Sequence, residues 1–436
     1  MYVTWVHGFP SGEEKGSFVT VDLGGTNLRV CWVTLNGKPK EGAKKHNITI
    51  SQNSFAMPED VKTGEASRLW SFIAESLKDF MEQQNLIVAK DRPLPLGFTF
   101  SYPAIQDRID HATLQTWTKG FDIKGVEGQD VASQLREAME ELDLAVELIA
   151  VINDTTGAMI ASAYNDPETI IGAIFGTGCN AAYMDKISNI AKVTNTDQMG
   201  HLDAETPMAI NCEYGAFDNA HRVLPVTTFD KKIDQESPKP GEQAFEKMSA
   251  GLYLGEIYRH IILDLHHRGL FLKDQIISKL QKPYCMDTGF LSRIENDTSP
   301  YLSNSAKNFK FDFNLDISEE ELIFSQLLAH LIAIRGARLC ACGIAAICRH
   351  QNIKKGHVAA DGSVANKHPT FKKRWGQALG EILDWTEDDM GQGEDGQEGP
   401  IKLTSAEDGS GVGAAVIVAM EMERRKGTSK TGLNGQ

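Results

Sequence analysis

The sequence predicts an α/β protein with two lobes on either side of a cleft. The chain has 436 residues, which is more than one hydrophobic core usually serves and suits two domains. Each half also begins alike: a strand, a turn rich in Gly and Thr, and a returning strand occur over residues 18–35 and again over 169–185. Two related lobes of this kind would leave a cleft between them, and ligands commonly bind in such clefts.

Apolar patterning places strands and helices along both halves. In the first half, Leu69, Ile73, Leu77 and Phe80 fall on one face of a helix. The expected strands are 18–22, 28–35, 47–51, 96–100, 146–152, 169–175 and a strand returning to 185. The expected helices are 69–81, 130–142, 241–267, 319–349 and 413–426.

These elements define the expected domains. Residues 1–160 are assigned to a small first lobe, and 161–426 to a large second lobe whose last helix packs back on the first lobe. Residues 384–400, rich in acidic residues and Gly, are expected to form a surface loop. Gly427 follows three basic residues, a usual helix end, so 427–436 are expected to be a disordered tail.

Composition excludes several classes of protein. There are 44 Lys and Arg against 59 Asp and Glu, a formal net charge of −15, which argues against a nucleic-acid partner. The seven cysteines are odd in number and irregularly spaced, as expected for reduced, buried thiols in the cytoplasm. No stretch is expected to span a membrane, because the best candidate, 322–348, is interrupted by Arg335 and Arg338.

The first motif that could bind a ligand lies between two predicted strands, over residues 22–29. Gly24 and Gly25 let the backbone bend tightly, and successive N–H groups in such a turn form an anion-binding concavity, with Thr26 and Asn27 as further donors. The carboxylate of Asp22 could hold water on Mg²⁺. An ordinary hairpin turn is the structural alternative.

The second motif, Gly176-Thr177-Gly178, repeats this logic in the second half. It strengthens the phosphate-binding interpretation because the two turns take corresponding positions. Neither has the G-x-x-x-x-G-K-[ST] pattern of a P-loop or a dinucleotide fingerprint leading into a helix. The nearest dinucleotide match, 409–413, follows no predicted strand.

The third motif, Asn153-Asp154-Thr155, ends a buried strand. A carboxylate at a sheet edge in a cleft is a candidate general base, and the start of a helix, capped by one of these residues, is the alternative. Polar residues in apolar or Gly-rich surroundings could hold a polyol by matched hydrogen bonds. They are Ser101, Thr118, Lys119, Asn180, Asn211, Glu213 and Glu256.

Together these segments resemble the hexokinase family, above all the fungal hexokinases and glucokinases. The resemblance is collinear and covers nearly the whole chain. The segments that carry it are 18–30, 96–103, 117–122, 153–155, 175–183, 210–218, 252–256, 359–363 and 407–411.

The resemblance implies a duplicated actin-like ATPase fold, of the ribonuclease H-like type. It implies transfer of the terminal phosphoryl group of ATP to the 6-hydroxyl of glucose, and also of fructose or mannose, as the first step of glycolysis. It implies Asp154 as the base and Lys119 as a second catalytic residue, and either a monomer or a homodimer. The implied sugar ligands are Ser101, Thr118, Lys119, Asn153, Asp154, Asn180, Glu213 and Glu256.

The resemblance further implies ATP and Mg²⁺ as cofactors, with the metal on the ATP phosphates and held through water by Asp22 and Asp154. The implied ATP-binding residues are Asp22, Gly24, Gly25, Thr26, Asn27, Arg29, Gly176, Thr177, Gly178, Asp361, Gly362, Ser363 and Ser410.

One departure from the family bears on activity. The family usually carries a Lys-aromatic-Arg/Lys segment near the ATP phosphates, where this chain has Ser54-Phe55-Ala56. Loss of two positive charges beside a polyanion should weaken ATP binding. Members also usually have an N-terminal helical segment before the first strand. These departures leave open a catalytically weak sugar sensor or regulator. An N-acetylglucosamine kinase is a second alternative, because the sequence does not reveal how much room lies near the 2-position of the sugar.

Overall fold

A computed structural model describes residues 1–25, 27–38, 48–86, 88–118, 120–194, 203–386, 388–389, 399–406 and 408–432, with side chains up to 426. Its strands are β1 (Tyr2–His7), β2 (Lys15–Leu23), β3 (Asn27–Asn36), β4 (Ile48–Ala56), β5 (Leu94–Phe100), β6 (Ala104–Arg108), β7 (His111–Leu114), β8 (Val146–Ile152), β9 (Thr169–Phe175), β10 (Cys179–Lys186), β11 (Pro207–Asn211), β12 (Gly356–Asp361) and β13 (Ile401–Ser405).

The helices fill the connections between these strands. They are α1 (Glu59–Thr63), α2 (Ala66–Gln83), α3 (Val131–Glu141), α4 (Asp154–Asn165), α5 (Ala191–Thr194), α6 (Thr228–Glu236), α7 (Ala244–Ser249), α8 (Gly251–His267), α9 (Thr288–Glu295), α10 (Ser303–Asn308), α11 (Glu319–Gln351), α12 (Ser363–Lys367), α13 (Phe371–Leu383) and α14 (Ala414–Gly432), with a π-helical turn at Gly409–Gly413 before α14.

Two sheets with the same internal order form the frame. The first sheet runs β4-β3-β2-β5-β8, and the second runs β1-β11-β10-β9-β12-β13. Each sheet contains an antiparallel meander, β2–β4 in the first and β9–β11 in the second. The first strand of the meander then pairs in parallel with a further strand (β5 or β12), which pairs in parallel with the last strand of the sheet (β8 or β13). This repeat confirms the prediction of a duplicated α/β fold. In both sheets the loop after the first strand is a Gly/Thr turn, so the two turns take equivalent places.

β1, the first strand of the chain, belongs to the second sheet, although residues 1–160 were predicted to form the first lobe. β1 pairs antiparallel with β11, and its inner residues are buried. This pairing covers backbone groups that an edge strand would otherwise expose. The Trp5 indole N–H also donates to the Gln106 carbonyl at 2.8 Å, which ties β1 to the β6–β7 hairpin.

The last helix, α14, follows the second sheet in the chain but packs on the first sheet. α14 packs against β2, β5 and β8 of the first sheet, close enough that a Cβ on Gly97 would lie 3.1 Å from the Ala414 Cβ. It continues to Gly432 rather than ending at Gly427, because a single Gly costs an established helix only about 1 kcal/mol. The prediction of a disordered tail over 427–436 is therefore wrong for residues 427–432, and residues 433–436 lie outside the described chain. We propose a division between lobes near residue 160, with β1 and α14 as exchanged segments.

The predicted helix over 241–267 is broken in two. Ala250 has extended backbone, with φ −84° and ψ 152°, between α7 and α8. The break lets the Gly251 N–H donate to the Gly176 carbonyl at 2.8 Å, an approach so close that a Cβ on Gly251 would lie 2.8 Å from the same oxygen. Helical periodicity alone could not reveal this, since the cause is a distant turn.

The long helix α11 corrects one sequence expectation. By length and composition it could cross a membrane, despite Arg335 and Arg338. Half of its most apolar stretch is buried inside the protein, and Arg335 makes a bidentate ion pair with Asp230 at 2.8 and 2.9 Å.

The seven cysteines are all free, as expected, and five of them are buried; Cys285 is half-buried and Cys342 is exposed. The predicted surface loop at 384–400 falls mostly on residues 387 and 390–398, which are outside the described chain.

Candidate active site

The first Gly turn joins β2 to β3. The Gly24 N–H donates to the Asn27 carbonyl at 3.2 Å, which closes the turn. Asp22 and Arg29 flank it from the two strands with a 3.5 Å ion pair. Arg29 also donates two hydrogen bonds, of 2.7 and 3.1 Å, to the Asp408 carboxylate. This ion pair binds the segment around Asp408, near the C-terminus, to the turn. Thr26, predicted to bind ATP, lies outside the described residues.

Asp154 stands at the start of α4, directly after β8. The side chain of the preceding residue, Asn153, caps the helix by accepting from the Thr155 N–H at 2.9 Å. The capping alternative thus belongs to Asn153. The Asp154 carboxylate, which accepts from the same N–H at 2.8 Å, is half-exposed at the positive end of the helix.

The negative charges of Asp22 and Asp154 both act on one buried ring, that of Tyr102. Burial, and then the negative charges of Asp22 and Asp154, raise the pKa of the Tyr102 phenol well above its usual value. Tyr102 packs against Trp117 and Phe121 with ring centroids 4.8 and 5.4 Å away. This aromatic wall fixes the segment after β5, which includes Ser101.

Three glycines lock the π-helical turn against the first turn of α4. A Cβ on Gly157 would lie 2.4 Å from the Gly409 carbonyl oxygen, and a Cβ on Gly413 would lie 2.2 Å from the Gly157 carbonyl oxygen. The Thr99 hydroxyl donates to the Ser410 carbonyl at 3.0 Å. Ser410, predicted to bind ATP, is therefore fixed beside the helix that carries Asp154.

A cluster of amides and one carboxylate lies on the opposite sheet. The Asn180 Nδ2 group donates to Asn211 Oδ1 at 2.8 Å and to Glu213 Oε1 at 3.0 Å, and Asn211 Nδ2 donates to the same Glu213 oxygen at 2.8 Å. The Glu213 N–H donates to Asn180 Oδ1 at 2.9 Å. These bonds hold Glu213 in the left-handed region at φ 50°, which a non-glycine residue adopts only when its surroundings enforce it.

The amide cluster and the Asp154 helix are continuous. The Thr155 hydroxyl donates to Asn153 Oδ1 and lies 3.4 Å from Asn211 Oδ1. The structure therefore brings Asn153, Asp154, Asn180 and Glu213 together, as the sequence predicts, and Asn211, which was also among the predicted polar residues, links them.

Glu256 lies apart from this cluster. It is 2% exposed, and both its oxygens accept from the Arg259 Nε at 2.9 Å while one also accepts from the Tyr284 N–H at 2.8 Å. In this conformation its carboxylate neutralises a buried guanidinium instead of facing the amides. Its role as a sugar ligand stays a prediction.

The second Gly turn meets the segment after β12. The Gly176 N–H donates to the Gly178 carbonyl at 3.0 Å, and the Cys179 N–H donates to Glu246 at 3.1 Å. A Cβ on Gly362, at φ 111°, would lie 2.5 Å from the Phe175 carbonyl. The close approach of Gly362 to Phe175 and Gly176 brings Asp361 and Ser363 near Thr177, and all three are exposed; their binding of a nucleotide stays a prediction.

Three residues that fix this site were not among those predicted from the sequence. Thr99, Asp408 and Glu246 each fix one of the turns described above. Asp408 lies directly before the Gly409-Ser410-Gly411 segment, which was a usable signal, whereas nothing local marks Thr99 or Glu246. Thr118 is half-buried, and Lys119, predicted to be catalytic, lies outside the described residues.

The arrangement combines two chemical capacities. Two Gly turns, one from each sheet, offer backbone N–H groups to anions. Between them, a carboxylate at a helix start adjoins amides and a second carboxylate that can exchange hydrogen bonds with hydroxyl groups. Such a site suits proton removal from a hydroxyl next to a bound phosphate.

Comparisons with known proteins agree with this chemistry. Two family models, both described as hexokinase, match residues 1–164 and 170–420. The chain is 48% identical to a hexokinase of Emericella nidulans, with 99% of this chain and 85% of that protein covered, and 48% identical to hexokinase-1 of Saccharomyces cerevisiae, with 99% and 86% covered. A hexokinase structure from Schistosoma mansoni in complex with glucose matches with a TM-score of 0.82 and 33% identity, covering 96% of this chain and 88% of that one.

Proposed function

Because this chain belongs to the hexokinase family, we propose that the Asp154 carboxylate takes the proton from a hexose 6-hydroxyl while the terminal phosphoryl group of ATP moves to that oxygen. The chain is a hexokinase-type phosphotransferase with an alcohol group as acceptor, and hexose phosphorylation is the first step of glycolysis. In the proposed step the O6–H bond breaks toward Asp154, a bond forms from O6 to the γ-phosphorus, and ADP leaves with the electron pair of the broken P–O bond.

The observation that carries this proposal is the position of Asp154. On one side, the first turn of its helix contacts Asn153 and Asn211 through the Thr155 hydroxyl. On the other side, the same turn packs through Gly157 against Gly409, in the turn that carries Ser410. A base in that position reaches a hydroxyl held by the amides and lies beside the phosphate that the turn would face. A well-placed general base contributes about 10²–10⁴ in rate.

The amide cluster supplies the sugar's orientation. Asn180 and Glu213 would bind ring hydroxyls, with Asn153, Ser101 and Thr118 completing the set. Because Glu213 and its amides are already bonded to one another, little reorganisation remains when a sugar binds, and an analogue lacking a hydroxyl leaves a buried polar group unpaired. Glucose, and with it mannose and fructose, is the proposed acceptor.

The two Gly turns would hold the nucleotide. Gly24, Gly25 and Asn27 would face the phosphates from the first sheet, and the Gly176–Gly178 turn with Asp361 and Ser363 would face the phosphates and adenosine from the second. Asp22 is 17% exposed at the edge of the first turn, a position that suits a water-mediated Mg²⁺ contact. When bound, Mg²⁺ supplies charge neutralisation on the phosphates, and Lys119 would add to it.

Location and partners follow from composition. Seven free thiols suit a reducing compartment, and we propose the cytoplasm. The net charge of −15 disfavours nucleic acid, so small molecules are the proposed ligands.

A coupled assay of ADP release with Mg-ATP and glucose tests the proposal, together with glucose titration of intrinsic Trp fluorescence. Turnover of about 1–100 per second, typical of such kinases, supports it. Glucose binding without turnover would favour the sugar-sensor alternative, and a preference for N-acetylglucosamine would favour the remaining one.

One feature favours the sensor as a second candidate, and it gives a prediction. Strand pairing places Ser54 opposite Arg29 and Ala56 opposite Asn27, with both side chains exposed beside the first Gly turn. We expect the double substitution Ser54→Lys and Ala56→Arg to lower the KM for ATP by up to about tenfold, because two added charges attract the phosphates. The KM for glucose should not change.

The control for this prediction is Thr49→Lys on the same strand. Thr49 is exposed and lies about 20 Å from the turn, so its added charge should leave the KM for ATP near that of the wild type. An unchanged KM in the double variant would mean that backbone N–H groups suffice to hold the phosphates. It would also remove the main support for the sensor.

A further inference from the structure

The loop after β7 carries a predicted sugar ligand next to a buried tryptophan. Trp117 is 1% exposed and belongs to the core of the first sheet, and Thr118 follows it directly. The Trp117 indole N–H donates to the Ile123 carbonyl at 3.0 Å, and its backbone N–H donates to Glu127 Oε1 at 2.6 Å. These bonds fix the loop from its own side of the protein.

Lys239, between α6 and α7, binds the same loop from the other side. Its Nζ donates to the Trp117 carbonyl at 2.7 Å and to the Thr116 hydroxyl. Glu127 Oε1, which lies 3.9 Å from the same Nζ, adds an ionic attraction. Because α6 and α7 pack on α8 in the core of the second sheet, this side chain connects the two cores directly before Thr118.

The backbone of Lys239 is itself held in place. Pro238 and Pro240 flank it, and the ring of each proline restricts the backbone. The Lys239 carbonyl accepts from Lys247 Nζ at 2.8 Å, and the same ammonium group pairs with Asp234 at 2.7 Å. Since Lys247 is 5% exposed, this support is buried. Only the side chain of Lys239 must therefore be ordered to reach the loop.

We propose that Lys239 is a positioning residue for sugar binding, which holds the loop so that Thr118 can meet a sugar hydroxyl. This inference rests on the proposed function, because it takes Thr118 as a sugar ligand. A loop that is ordered beforehand loses less conformational entropy when the ligand binds, and a charged donor makes strong hydrogen bonds to a carbonyl. The Lys239 side chain is 39% exposed, so water weakens the attraction and a moderate effect on affinity is expected.

Lys239→Met tests the proposal, because methionine keeps the apolar stem of the side chain and loses its charge and donors. We expect the dissociation constant for glucose, measured by titration calorimetry, to rise about tenfold. The KM for glucose should rise with it, while kcat and the KM for ATP change less than about threefold, as expected when binding of one substrate is weakened uniformly. The matched control is Lys231→Met, which removes the same charge from an exposed position on α6 and should bind glucose like the wild type.

Two further variants test whether the contact itself is responsible. Lys239→Arg keeps a positive charge and several donors, so it should retain most of the affinity that Lys239→Met loses. Thr116→Val removes one acceptor with little change of shape, and alone it should raise the glucose dissociation constant by a smaller factor. Added to Lys239→Met it should cause no further rise, because the bond between the two side chains is already absent.

An unchanged glucose dissociation constant in Lys239→Met overturns the proposal, and so do additive effects of the two substitutions or an equal loss in Lys239→Arg. A lower melting temperature with unchanged kinetic constants also overturns it, because the contact would then be purely structural. A wild-type protein without turnover would contradict the proposed function alone. Calorimetry with glucose needs no turnover and would still report on Lys239, so the two failures are distinguishable.

Discussion

Asp154→Asn is expected to lower kcat by about 10²–10⁴-fold while the dissociation constant for glucose changes little. An amide cannot take up the proton of the 6-hydroxyl, yet it keeps the size of the carboxylate and can still accept the Thr155 N–H. The measurement pairs the coupled assay with glucose titration of Trp fluorescence. Loss of turnover with retained binding would separate a catalytic role from a purely structural one.

The control sits on the same helix. Asp166 is the C-cap of α4 and accepts from the Glu168 N–H at 3.1 Å, far from the amide cluster along the helix axis. Asp166→Asn should retain wild-type kcat. If Asp154→Asn kept kcat within tenfold of the wild type, another group or water would have to remove the proton, and Asp154 would not be the base.

Gly157→Ala is expected to lower both stability and activity, although alanine favours helices over glycine by about 1 kcal/mol. The added Cβ would lie 2.4 Å from the Gly409 carbonyl oxygen, and two backbone segments must separate to admit it. Overpacking of this kind typically costs about 1–3 kcal/mol of unfolding free energy. Because the displaced turn carries Ser410, we also expect kcat/KM for ATP to fall more than the affinity for glucose.

Thermal unfolding and steady-state kinetics measure the two effects. Gly289→Ala in α9 is the matched substitution, since its nearest neighbour would be the Asp287 carboxylate at 3.3 Å and the site is exposed. That variant should be as stable as the wild type or slightly more so. A Gly157→Ala protein with unchanged melting temperature and kcat would mean that α4 and the π-helical turn can separate without loss.

Local patterns in the sequence predicted the repeated frame well. The Gly24–Gly25 and Gly176–Gly178 turns, each between apolar strands, were enough to place two equivalent sheets, because a strand-turn-strand unit is specified by neighbouring residues. Asp154 was identifiable for the same reason, as a carboxylate at the end of a buried strand. The amide partners of Glu213 could be expected only as a set, because their bonds depend on how β10 and β11 pair.

Contacts between distant parts of the chain could not be predicted. The Arg29–Asp408 pair joins residues from opposite ends of the sequence, and Ala250 breaks a good helical pattern so that Gly251 can reach Gly176. Glu256 lies in a segment that suggests sugar binding, but its carboxylate is paired with the buried Arg259 guanidinium. In each case a tertiary partner outweighs the local preference.

The exchange of β1 and α14 has a consequence for how the protein comes apart. Each sheet is completed by a segment from the other end of the chain: β1 extends the second sheet before the first begins, and α14 returns from the second to cover the first. A half-molecule cut near residue 160 would keep β1 without its partner β11 and would lack the helix that shields its sheet. The two cores thus depend on one another, and heating should melt both in a single cooperative transition instead of one after the other.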